Sequence, residues 1–308
     1  MHPNHDHTHR LPDDRKPLVG ALLLIVVFMV GEVVAGLLAG SLALLADAGH
    51  MLTDAAALGL AVAAATLARR PARGQWTYGF RRVEILAAQL NGLTLLLVGA
   101  WIVYEAVNRL VDPHDVDAPV VIGVALAGIV VNLGASGLLA RASRTSLNVR
   151  GAFLHVVTDL AAFVATAIAG TVILFTGWNR VDPLASLGVA ALMFWSAATL
   201  LRESTAIFLE RSPAGVDPEE VGRAIVAEDG VLEVHDLHIW TVTSGFPALS
   251  AHVLVRRDAD CHALRRGLER VLDERFGLEH TTLQVDHVPE STASLKIGAA
   301  FRRRAPLR

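Results

Sequence analysis

The sequence predicts a bundle of six membrane-spanning helices followed by a small soluble α+β domain. Three observations carry that prediction. Only 19% of the 308 residues are charged and 53% are hydrophobic, with mean hydropathy +0.47; a soluble domain of this size would carry about 25% charged residues. The deficit is uneven, because residues 213–308 hold 15 of the 30 acidic and 12 of the 27 basic residues. The first two-thirds also contains six apolar stretches, each long enough to cross a bilayer at about 20 residues per span.

Residues 1–16 are polar and carry His2, His5, His7 and His9. They lack the apolar core and small-residue cleavage site of a signal peptide, so they read as a histidine-containing tail that either chelates metal loosely or is simply a solvated segment. The spans fall near 17–39, 42–68, 83–111, 120–140, 151–176 and 183–209, giving a membrane domain over 17–211. Gly40-Ser41 alone separates the first two and forces a tight helical hairpin. Asp182 is placed to cap the sixth span. Glu32 and Asn132 read as hydrogen-bonding partners between helices, and Gly36 and Gly40 as a small-residue packing face.

Basic residues set the orientation. Arg10, Arg15 and Lys16 precede the first span. Arg69, Arg70, Arg73, Arg81 and Arg82 follow the second, Arg141, Arg144 and Arg150 follow the fourth, and Arg211 follows the sixth. The opposite loops offer only Arg180 and Arg109. Both termini are therefore expected in the cytoplasm, and a plasma-membrane location of bacterial type is expected.

From about 212 to 290 the pattern changes. Pro218–Ala227 reads as a short helix with an acidic first turn. Val231–Thr243 and Ala248–Arg256 alternate and are rich in β-branched residues, as strands do. Cys261–Phe276 repeats apolar residues at helical spacing. His280–Val288 reads as a third strand. The order αββαβ is that of a ferredoxin-like two-layer domain. Residues 291–308 are basic and low in pattern, and are expected to form a flexible tail. A net charge of -3 offers no basic surface for nucleic acid. The single cysteine, Cys261, excludes a disulfide framework and any all-cysteine metal site.

The residues that carry chemistry are two matching motifs inside the spans. His50-Met51-Leu52-Thr53-Asp54 lies in the second and His155-Val156-Val157-Thr158-Asp159 in the fifth. Residues four apart share one helix face, so each helix presents an imidazole and a carboxylate together. Facing each other, the helices supply two nitrogens and two oxygens, a set suited to tetrahedral Zn2+. Carboxylates in a bilayer are costly and mark function by default; a divalent cation would compensate two of them. A hydrogen-bonded polar plug would explain one such pair, but hardly two of identical spacing. Asp47 either holds His50 in its tautomer or sits near the membrane interface. In the soluble domain, His235, His252 and Asp286 lie on three separate strands that could meet at a second metal site; ordinary surface histidines are the alternative. His235 and His238, three apart in a strand, should face opposite ways.

These motifs resemble the cation diffusion facilitator family, in particular its zinc-transporting branch. The resemblance runs from about residue 17 to 290 and rests on SLALLADAGHMLTD (41–54), YGFRRVEILAAQLNG (78–92), FLHVVTDLAAF (153–163), DPLASL (182–187) and VHDLHIW (234–240). It implies a homodimer in the lipid bilayer that exports divalent cations from the cytoplasm in exchange for protons. His50, Asp54, His155 and Asp159 match the family's transport site, and histidine at position 50 favours zinc over cadmium. The soluble domain is implied to be metallochaperone-like, with a regulatory site at His235, His252 and Asp286, and His262 beside them. Gln284 stands where some members have a ligand histidine. The implied metal is Zn2+, as substrate and as regulator, with no organic cofactor.

Such a site would work by alternating access. A neutral imidazole and an ionised carboxylate bind Zn2+, and protonation expels it; histidine, with an ordinary pKa of about 6.5, makes this sensitive to ambient pH. Three other classes are open to a metal site in a membrane: a zinc-gated or zinc-permeable channel, a membrane metal sensor, and a metal-dependent membrane enzyme. The last lacks the general base of an HExxH motif.

Overall fold

A computed structural model describes residues 15–39, 42–112, 117–142, 146–288 and 301–302. The histidines at 2, 5, 7 and 9 lie outside these, as do the side chains of Glu32, Asp47 and His50. The chain divides into two compact units, residues 1–205 and 206–308.

The first unit is helical: α1 (Arg15–Ala39), α2 (Leu42–Leu67), α3 (Val83–Val111), α4 (Ala118–Leu139), α5 (Leu147–Thr176) and α6 (Val181–Phe208). The helices α3 to α6 are long and apolar enough to cross a membrane by length and composition. With 25 and 26 residues, α1 and α2 are each roughly 38 Å long at the helical rise. Local chemistry sets the boundaries. Asp117 accepts from the Val120 N–H at 3.4 Å and Pro119 follows in the first turn of α4. Ser146 accepts from the Val149 N–H at 3.2 Å and starts α5 earlier than its apolar run begins. Gly177, in the left-handed region at φ 67°, ends it. Asp182 does not cap α6 but lies within its first turn, 3.7 Å from Arg109 of α3. The helix starts at Val181, so the cap position is Arg180 and Asp182 is two positions too late to cap.

Four helices share one core. Leu18, Ala21 and Ile25 of α1 pack with Met51, Leu58 and Ala61 of α2, Ala135 and Leu139 of α4, and Val149, Ala152 and Val156 of α5. Small residues allow the close approach, as is usual between helices in lipid. A Cβ on Gly128 of α4 would lie 2.5 Å from the Phe163 ring of α5. A second cluster joins Leu95 of α3 to Val189, Met193 and Ala197 of α6. Large apolar side chains such as Leu23, Val27, Leu97, Val130 and Phe175 point outward. On a soluble protein they would be a liability; in a bilayer they face lipid.

The second unit contains α7 (Pro218–Ala227), β1 (Val231–Thr243), β2 (Phe246–Val255), α8 (Cys261–Phe276), β3 (His280–His287) and β4 (Phe301–Arg302). The sheet order is β3-β2-β1-β4. The hairpin β1–β2 is antiparallel, β2–β3 is parallel through the crossover helix α8, and β4 pairs antiparallel with β1. Val221, Ile225, Leu268 and Leu272 of the two helices pack on Val234, Ile239, Leu249, Val253 and Leu283 of the sheet. The αββαβ order is the one expected. Strand β4 is an addition, cut from the segment read as a tail: Phe301 pairs with Val234 and Arg302 with Glu233. Two residues are too few to show a strand period in the sequence; the exposed edge of β1 supplies their partners.

Candidate metal centre

The helices α2 and α5 bring three of the four predicted intramembrane residues together. The imidazole Nε2 of His155 lies 3.2 Å from Asp54 Oδ1 across the helix pair and 3.8 Å from Asp159 Oδ2 one turn along its own helix. Asp54, His155 and Asp159 are 4%, 5% and 6% exposed. One ligand atom from each lies within 4.8 Å of the others, so a single cation could touch all three. His50 belongs to α2, one turn before Asp54; its side chain, like that of Asp47, is outside the described residues.

Two carboxylates sharing one imidazole in an apolar core make an electrostatically unfinished group. Two ionised carboxylates repel, and neither can be left bare in a low-dielectric interior without a large cost. A proton on Nε2 would satisfy part of that charge, and a divalent cation would satisfy more of it. His155 Nδ1 is buried and has no hydrogen-bond partner among the described residues. Among the described residues, the ring's polar contacts are all made through Nε2.

The soluble unit carries a second group, His235, Asp236 and His252, whose ligand atoms also lie within 4.8 Å of one another. His235 and His252 face each other across the β1–β2 hairpin, with ring centroids 5.4 Å apart. Asp236 is the residue that the sequence missed. In a regular strand it would point away from His235. The pairing register shifts between His235 and His238, and Asp236 takes the left-handed φ of 50°; this bulge brings its carboxylate to the histidine side. The same bulge removes the simple opposite-face relation expected for His235 and His238. Asp286 and His262 do not join the group. Gln284 stands opposite His252 in the parallel pair, while Asp286 stands opposite Leu254 and accepts from the Gln284 amide at 2.8 Å. His262 is in the first turn of α8, where its backbone N–H donates to Asp260. Elsewhere in this unit, Cys261 Sγ is 3.4 Å from His287 Nε2.

Known proteins match this architecture. The sequence model of the cation efflux transmembrane domain matches residues 18–209, and that of the cation efflux protein cytoplasmic domain matches 213–288. The chain is 37% identical over 285 residues to a cadmium, cobalt and zinc/H(+)-K(+) antiporter of Bacillus subtilis, covering 91% of each chain. It is 39% identical to the zinc transporter ZitB of Escherichia coli, covering 92% of this chain and 93% of that one. It is 38% identical to the metal cation efflux system protein CzcD of Cupriavidus metallidurans, covering 94% and 92%. Among solved structures, the metal-bound C-terminal domain of the CzcD transporter from Cupriavidus metallidurans is 37% identical, with 97% of it and 23% of this chain covered, at a TM-score of 0.22.

Proposed function

The chain belongs to the cation diffusion facilitator family of cation efflux proteins, and from that we propose that it exports Zn2+ from the cytoplasm in exchange for protons. The transport site is His50, Asp54, His155 and Asp159. One observation carries the reading: the buried His155 Nε2 stands between carboxylates from two different helices.

The same atoms serve zinc and protons in turn. With the carboxylates ionised and the imidazole neutral, Asp54, His155 and Asp159 offer lone pairs to zinc, and His50 completes four ligands. A proton taken up at Nε2 or at a carboxylate occupies the lone pair that held the metal. Zinc and proton binding are thus mutually exclusive at each ligand, which is the thermodynamic requirement for exchange. Because Asp54 lies on α2 and the other two on α5, relative movement of these helices changes the ligand set as well as its access. Relatives named for zinc, cadmium and cobalt transport support a divalent cargo; the two imidazoles favour zinc over harder ions such as Mn2+. The arginine-rich connections support a cytoplasmic position for both termini, and the soluble unit is the dimerising, metal-responsive part. Its site is the His235–His252 pair with Asp236 beside them; Asp286 and His262, which the family resemblance adds, would have to move toward it.

The test is zinc flux into proteoliposomes under an imposed pH gradient. Asp54→Ala and Asp159→Ala are each expected to reduce flux to that of empty vesicles. Parent-like flux in both would remove the site assignment. Flux indifferent to the gradient would remove the proton exchange and leave metal binding standing.

A further inference from the structure

The first turn of α5 is tied to three neighbours by three alternate residues. Ser146 Oγ donates to the buried Glu84 carboxylate in the first turn of α3. Asn148 Nδ2 donates to the backbone carbonyl of Ala61 in α2 at 2.7 Å. Arg150 Nη1 donates to Glu203 Oε2 of α6 at 2.5 Å. The Arg150–Glu203 pair is partly exposed, so solvent weakens it. The Asn148 bond is different, because Asn148 is fully buried.

Its position along the helices gives that bond its meaning. Asn148 precedes His155 by seven residues, and Ala61 follows Asp54 by seven. The contacts Asp54–His155 and Ala61–Asn148 therefore share one antiparallel register, two helical turns or roughly 10 Å apart. The Asn148 end leads toward the Arg69–Arg73 and Arg141 connections. An apolar side chain would fill this place without burying an amide, whose Oδ1 has no hydrogen-bond partner among the described residues. The polar contact is also easy to reverse. The Ala61 carbonyl keeps its own helical bond, and water entering from the arginine-rich side can take over the Asn148 amide.

From this geometry we infer that Asn148 is a positioning residue: its bond to Ala61 clasps α2 to α5 and closes the metal site toward the arginine-rich side. Opening to that side breaks the bond. Ser146 and Glu84 hold the same turn of α5 against α3, so the clasp acts on a fixed point. The inference rests on the proposed transport site for its functional meaning, but the closure itself can be measured without zinc.

The experiment uses the full chain with Cys261→Ser, which removes the only native thiol, and Ala64→Cys. Ala64 is buried one turn beyond Ala61. The reaction rate of this thiol with a membrane-impermeant methanethiosulfonate is measured in nanodiscs without metal. Asn148→Leu is expected to raise the rate at least fivefold. Asn148→Ser, too short to reach the carbonyl, should do the same and keeps the test decisive if the leucine variant does not assemble. In proteoliposomes loaded from the arginine-rich side, the same variants should lower the KM for zinc about threefold or more without raising Vmax, because the loading-competent state is already populated. Unchanged thiol reactivity, or a loss of Vmax at unchanged KM, overturns the clasp. Failure of Asp54→Ala to affect flux would instead overturn the transport site.

Discussion

The two histidine–aspartate groups use the same side chains in opposite surroundings. Asp54, His155 and Asp159 come from two long helices and are almost wholly buried. His235, Asp236 and His252 sit partly exposed on a hairpin, and one of them depends on a bulge. Water can solvate the second group when it holds nothing, so its empty state costs little. The first is almost wholly buried, so leaving its carboxylates ionised and uncompensated is costly and favours a positively charged occupant. On the proposed reading, that is why the buried group suits obligatory exchange of one cation for another, and the exposed group suits a graded response to metal concentration.

The sharpest way to break this contrast is to mutate one residue of each group. Asp159→Asn should reduce zinc flux by about 100-fold or more, since the ligand charge and the proton acceptor are lost together. His252→Ala should leave flux at saturating zinc within about threefold. If both variants abolish flux at saturating zinc, the groups are not functionally distinct.

A smaller effect separates Asp236 from Asp286. The bulge places Asp236 beside the two histidines, whereas Asp286 is engaged by Gln284. Zinc titration calorimetry of the full chain carrying Asp54→Ala and Asp159→Ala, with His2, His5, His7 and His9 also changed to Ala, confines binding to the soluble unit. There Asp236→Asn should weaken binding by about 10–100-fold, the range seen when a supporting group at a metal site is lost, and Asp286→Asn by less. The reverse order would mean that metal pulls β3 into the site, as the family resemblance implies.

The smallest expected change concerns the frame of the soluble unit. The Asp260 carboxylate accepts from the backbone N–H groups of Ala263 and His262, which hold it below the ordinary aspartate value of 3.8. Its depressed value means that the cap stabilises α8 above that pH, and that the contribution is lost as pH falls through the lower folded value. Asp260→Ala should speed amide exchange at His262 and Ala263 near neutral pH and leave α3 unchanged. Equal exchange in parent and variant would show that the cap contributes nothing.

The legibility of these features follows from their range along the chain. The spacing of His155 and Asp159 needs only helical periodicity, and Asp54 stands in the matching motif of α2, so the residues of the intramembrane group are legible span by span, while their meeting across α2 and α5 is not. The soluble group was half readable. Alternation and hairpin order pair His235 with His252, but a bulge is a local insertion that no period announces. That is why Asp236 was passed over and Asp286 chosen. Asn148 and Glu84 were passed over for another reason. A single polar residue near the end of a span looks like an interface residue until the neighbouring helix is known.

By itself the sequence determined the number and type of the long elements, the clustering of arginines in alternate connections, and the residue types of a buried histidine–aspartate group. These follow from hydrophobic length, charge placement and fixed helical spacing, which are properties of one segment at a time. The tertiary structure alone decided which face of α2 meets α5, that β4 joins the sheet edge, which carboxylate turns toward the His235–His252 pair, and that Asn148 bonds Ala61 in the register of Asp54 and His155. Apart from the local bulge at Asp236, each of these is a contact between segments far apart in the chain. It is fixed by how whole surfaces pack, and no single segment carries that information.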